Sequence, residues 1–97
     1  MNLSLLRITI KDLSDSFIWY EEQERGLGDR FILAIEESFE VIKRNPFIFP
    51  IVKNDVRRKL VRKFPYIIYY YMYSENIIII GVLHSKRNPD ELRSRIS

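Results

Sequence analysis

The chain has 97 residues and a mass of 11.7 kDa, with 46% hydrophobic and 30% charged residues, so residues 1–97 are read as a single globular domain with room for one core. It has no cysteine and one histidine, His84, which excludes disulfides, thiolate metal sites, cysteine nucleophiles and His-rich metal cages. The net charge of +3 is uneven: residues 1–48 carry 6 Lys/Arg against 9 Asp/Glu, residues 49–97 carry 10 against 4, and the second half is therefore +6.

A basic half on a small domain points to a polyanionic partner, either nucleic acid or an acidic protein segment. The longest apolar run, Ile77 to Leu83, falls far short of the ~20 residues a membrane span needs. The first residues carry neither the basic start nor the small-residue cleavage site of a signal peptide, so a cytoplasmic protein with no membrane role is expected.

In chain order, Leu3 to Ile10 alternates loosely, with Leu6, Ile8 and Ile10 on one side, and predicts a first strand. Asp12, Ser14 and Asp15 then place capping oxygens and negative charge at the start of a helix. Leu13, Phe17, Tyr20 and Glu24 share a face of it, with Ile18 alongside. Gly26 and Gly28 bracket Leu27 and mark a tight turn. A second helix starts near Asp29, its stripe made by Leu27, Phe31, Ala34, Ile35, Ser38, Phe39 and Ile42, and Asn45-Pro46 stops it. Two amphipathic stripes joined by a short turn predict an antiparallel helix pair.

The remainder predicts sheet. Val56 to Phe64 is a strand with interleaved cations, Pro65 separates it from a strand at Tyr66 to Tyr73, and Ser74-Glu75-Asn76 forms a hairpin turn. Ile77 to Leu83 is apolar on both faces, as a central strand covered on both sides would be. The expected fold is α+β, in the order β-α-α-β-β-β, with a helix hairpin on one face of a mainly antiparallel sheet. Phe17, Phe31, Ile35, Phe39, Ile68, Ile78 and Ile80 are its expected core.

Three groups of residues carry chemistry. Arg57, Arg58, Lys59, Arg62 and Lys63 put five cations in seven positions, suited either to a phosphate or carboxylate partner or to protecting an edge strand by charge. On a regular strand Arg58 and Arg62 point one way and Arg57, Lys59 and Lys63 the other. Among the tyrosines, Tyr66 and Tyr70 share a face with Met72, while Tyr69, Tyr71 and Tyr73 share the opposite one. Tyrosines beside cations can stack bases or anchor a protein, and equally can be core residues with hydroxyls at the rim. The third group is His84, Lys86, Arg87, Asn88 and Pro89 at the exit of the buried strand, where the histidine is placed either for proton transfer or for a structural hydrogen bond. Paired carboxylates, a Gly-rich phosphate loop and a nucleophile–base pair are not found, and no cofactor or metal is expected.

Several blocks, in order over residues 19–89, resemble the RelE/ParE toxins. They are Trp19-Tyr20-Glu21, Gly26-Leu27-Gly28-Asp29-Arg30-Phe31, Asn45-Pro46 with Phe49-Pro50, Val56-Arg57-Arg58, Phe64-Pro65-Tyr66 with Ile68-Tyr69-Tyr70, and His84-Ser85-Lys86-Arg87-Asn88-Pro89. The resemblance implies the toxin of a type II toxin–antitoxin system, held in a hetero-oligomer by a cognate antitoxin and linked to growth arrest and plasmid stabilization. RelE-like members are ribosome-dependent mRNA endonucleases; ParE-like members inhibit DNA gyrase. Tyr66 stands where the RelE-like nucleases carry an arginine, and the last tyrosine is Tyr73, whereas those nucleases end on an aromatic hydroxyl. Both departures favour the ParE-like, non-enzymatic branch. The alternatives are an mRNA endonuclease using Arg57, Arg58, His84 and Arg87, and a degenerate toxin that only binds its antitoxin. Arg57, Arg58, Arg62, Tyr69, Tyr71 and Arg87 are the residues expected to contact antitoxin or target.

Overall fold

The structure, a computed structural model, describes residues 2–96. The elements are β1 (Asn2–Leu5), α1 (Arg7–Gln23), α2 (Leu27–Arg44), β2 (Ile51–Lys53), β3 (Val56–Leu60), β4 (Tyr66–Tyr73), β5 (Asn76–His84) and α3 (Pro89–Ile96). One sheet runs in the order β1-β5-β4-β3-β2. All its pairings are antiparallel except that of β1 with β5. The α+β class, the helix hairpin and the central β5 follow the expectation. The strand β2 and the helix α3 are additions to it.

The first strand ends five residues earlier than its alternation suggests. The amide of Leu6 makes the last sheet bond, to the Ile79 carbonyl, and the next residues wind directly into α1. Leu6, Ile8 and Ile10 are consequently exposed, while Thr9, Asp12, Ser16 and Tyr20 form the buried face of α1. Asp12 is not a helix-capping residue. It lies inside α1, where burying so polar a stripe requires partners from outside the helix. The Thr9 hydroxyl donates to the Ile79 carbonyl at 2.7 Å, and the Asp12 carboxylate accepts the Val82 amide at 3.1 Å. Val82 lies on the edge of β5 that β1 is too short to cover, and the Ile79 carbonyl, at the end of β1, is shared with the Leu6 amide.

The helix α2 buries its stripe as the spacing predicts, with Phe31, Ile35, Ser38 and Ile42 inward. Phe31 stacks on Tyr20 at 5.2 Å between ring centres and meets Tyr66 edge-on at 4.8 Å, which ties both helices to β4. The helices approach closely at Gly28, where a Cβ would come within 2.8 Å of the Phe17 carbonyl oxygen. The neighbouring Glu21 carboxylate accepts the Gly28 amide at 2.8 Å, so α1 supplies an anion to the N-terminal turn of α2. Backbone amides, that of Gly26 first, hold the Glu21 carboxyl below its ordinary value against a smaller opposing desolvation.

On β4, Tyr66, Ile68 and Tyr70 face the helices, with Ile67, Tyr69 and Tyr71 opposite. The β4–β5 register shifts between Tyr69, paired with Gly81, and Tyr70, paired with Ile79. Ile80 is the extra residue, an outward-facing bulge that shifts the alternation by one, so that Ile77, Ile79 and then Val82 face the helices. Of the expected core, Phe31, Ile35, Ile68 and Ile80 are buried, whereas Phe17, Phe39 and Ile78 are half-buried. The outer face is partly covered by α3, whose Leu92 and Ile96 share a groove with Ile67 and Leu83.

Candidate functional site: a basic groove on the outer face

Pairing sets the direction of each cation on β3. Arg58 lies opposite Tyr69, on the outer face, and Arg57 lies opposite Tyr70, on the helix side. The two neighbours therefore have different tasks. The Arg57 guanidinium donates to the carbonyls of Phe47 and Phe49, at 3.0 and 2.7 Å, and stands over the Phe47 ring. The Tyr70 phenol donates to the Pro46 carbonyl at 2.7 Å, and burial raises its pKa. Together they anchor the chain between α2 and β2. Lys59 packs over the Phe49 ring, and burial followed by the charge of Arg62 lowers its pKa.

Arg58 instead lines a groove of 380 Å³ between the sheet and α3. Its floor is Ile67, Tyr69 and Leu83, and its rim carries Lys53, Arg58, Arg87 and Arg93 with His84. No carboxylate lines it among the described residues. Arg87 pairs with Glu91 and Arg93 with Asp90, but these acids lie behind the cations, on α3. Apolar floor and cationic rim together suit a partner that offers both an apolar anchor and negative charge. Burial raises the Tyr69 pKa against a smaller opposing effect of Arg58, so its phenol stays neutral beside the guanidinium. His84 accepts the Lys86 amide at Nδ1, 3.1 Å away, and meets the Tyr66 ring edge-on at 5.3 Å. Its Nε2 is the nitrogen left for other partners.

Of the residues expected to bind, the groove brings together Arg58, Tyr69 and Arg87, and with them His84, which was expected only in an endonuclease. Arg57 is turned away from it. Arg62 lines a separate hollow against α2 with Ser38 and Lys59. Tyr71 is on the outer face but at its other end, beside Val56, Ile80 and Arg95. Lys53, Leu92 and Arg93 were not expected, because β2 and α3 were not. The sequence signal for α3 was the run Pro89-Asp90-Glu91 followed by Arg93 and Arg95, acids in the first turn and bases in the last.

What holds α3 in place is an ion pair. The Arg95 guanidinium meets the Asp12 carboxylate at 2.6 and 2.9 Å, donates to the Ile80 carbonyl at 3.0 Å and reaches Glu91 at 3.2 Å. The two partners are 6% and 7% exposed, and Asp12 and Glu91 raise the Arg95 pKa, the hydrogen bond to Asp12 most, against desolvation. Gly81 makes room, since a Cβ there would stand 2.9 Å from Arg95 Nη1.

Comparison with known families decides the relationship. A family model described as the ParE toxin of the type II toxin–antitoxin system parDE matches residues 5–89. The chain belongs to the ParE toxin family. The solved structure of a chromosomal ParDE toxin–antitoxin system from P. aeruginosa has a chain with the same fold. The two superpose with a TM-score of 0.66 at 17% identity, over 87% of this chain and 95% of that one. No curated relative matches in sequence. The ParE match extends from the end of β1 to the first residue of α3, so it includes both helices, the basic strand and His84. Among the described residues no helix is long and apolar enough to cross a membrane.

Proposed function

We propose that this ParE-family chain is a toxin that inhibits DNA gyrase, and that a cognate antitoxin neutralises it by covering the basic groove. The observation that carries the reading is the family match over residues 5–89, joined to a groove with four cations on its rim, an apolar floor and no lining carboxylate among the described residues. An antitoxin segment rich in Asp and Glu with an apolar anchor is complementary to it. Arg58, Tyr69 and Arg87 are the contacts we assign to this partner; Arg57 serves the fold.

An mRNA endonuclease is the second reading. It is favoured by the convergence of Arg58, His84 and Arg87 and weakened by the loss of Arg57 to the Phe47 and Phe49 carbonyls. Two assays on the purified chain separate the readings. Gyrase inhibition predicts loss of supercoiling activity and no cut in ribosome-bound mRNA. Cleaved mRNA with supercoiling unchanged reverses the assignment, and activity in neither assay leaves the degenerate toxin. In cells, the gyrase reading predicts growth arrest with an SOS response, not immediate arrest of translation.

A further inference from the structure

His84 and Arg87 line a second hollow, on the other side from the basic groove. It is a cleft of 510 Å³ between α1 and the start of β4, closed by Asp15, Ser16, Trp19, Tyr20 and Tyr66. Its volume is in the range of small-ligand sites. Its wall is aromatic and its mouth is polar.

Trp19 is 55% exposed. It is braced edge-on by Tyr20, with ring centres 5.1 Å apart at 84°. A large ring fixed at the mouth of a cleft and left open to solvent is a stacking platform. Ser16, on the cleft wall, adds a hydroxyl that can donate or accept a hydrogen bond. Asp15 adds a carboxylate for a donor such as an exocyclic amine, and Lys11, 2.6 Å away, balances its charge. The hydrogen bond to Asp15 raises the Lys11 pKa, and Arg87 opposes that rise, so the two cations lie within electrostatic reach of each other. Among the described residues, Glu91 takes only Nη1 of Arg87, which leaves the other donors for an anion.

We propose that this cleft binds a nucleotide, the base stacked on the Trp19 indole and the phosphate held at Arg87 and His84. The ligand is a nucleoside monophosphate unit, supplied either as a free nucleotide or as the end of a single strand. A flat π-system, an amine and a dianion are the three features that the indole, the carboxylate and the cations recognise. The site shares His84 and Arg87 with the basic groove but needs no contact with gyrase, so it survives the failure of that reading.

The chain has a single tryptophan, so its fluorescence reports on the cleft directly. The full chain is titrated with AMP, adenosine, inorganic phosphate and pentaadenylate, with free N-acetyltryptophanamide correcting for absorbed light. We expect saturable quenching by AMP, at least about fivefold weaker binding of adenosine, and none by phosphate alone. Arg87→Ala weakens AMP and leaves adenosine unchanged. Trp19→Ala, followed by equilibrium dialysis and checked for helix content, loses most AMP binding. Pentaadenylate binding much tighter than AMP assigns the site to a strand end, and equal binding assigns it to the free nucleotide. Absence of saturable quenching up to about 5 mM AMP overturns the proposal. Affinity unchanged in a folded Trp19→Ala or Arg87→Ala chain does so equally.

Discussion

The two faces of the sheet are held in different ways. The helix side is a continuous apolar layer in which Phe31, Ile35, Ile42, Ile68, Tyr70, Ile77 and Ile79 are almost fully buried. The outer side is covered by an eight-residue helix, α3, tied down by Arg95 on Asp12. The first face is stabilised by burial spread over many side chains. The second relies on a few directional contacts, and it is this face that keeps a basic groove open. A surface that must receive a partner cannot also be filled by its own core.

The largest expected effect is on the helix side. Phe31→Ala removes the ring that joins Tyr20, Phe64 and Tyr66 and should destabilise the fold by about 3–5 kcal/mol in chemical denaturation. A loss below about 1 kcal/mol would contradict the single aromatic layer.

The outer face should break at its ion pair. Asp12→Asn keeps an acceptor for the Val82 amide but takes the two-point carboxylate partner from the buried Arg95 charge and leaves it only Glu91 at 3.2 Å, at a cost of about 3 kcal/mol. Hydrogen exchange should then show α3 opening while α2 stays protected. If the double variant Asp12→Asn with Arg95→Met is as unstable as the single, the cost does not come from the under-compensated Arg95 charge.

Next come the two adjacent arginines. Arg57→Glu should lower stability by about 1–3 kcal/mol, because it removes charge-assisted bonds to two carbonyls. Arg58→Glu should change stability by no more than about 0.5 kcal/mol. It should nevertheless slow association with an acidic antitoxin severalfold, and the effect should shrink with salt. Equal effects of the two substitutions in both measurements would dissolve the distinction between the faces.

The smallest effect concerns the helix turn. The Glu21 pKa is lowered in the fold, so its contribution is present above the unfolded carboxyl value. That contribution is lost as pH falls through the folded one. Glu21→Gln should therefore flatten the acid limb of the stability profile and leave the limb above neutrality unchanged. Parallel acid limbs in the two proteins would remove Glu21 from the account.

The sequence alone was enough for the helix hairpin, because α2 repeats apolar residues at helical spacing and Gly26, Gly28 and Asn45-Pro46 mark its ends by local backbone preference. It was enough for β4 and β5, whose β-branched and aromatic runs have few other uses, and the ordered blocks over residues 19–89 pointed to the family. The start of α1 was not legible. There polarity is inverted: Thr9 and Asp12 are buried because β5, 70 residues away in sequence, supplies their partners where β1 ends. Nor could the division between Arg57 and Arg58 be read, since strand alternation separates their faces without saying which face is covered. That choice, like the placing of α3 by an Arg95–Asp12 contact 83 residues apart, depends on non-local pairing and so belongs to the tertiary structure.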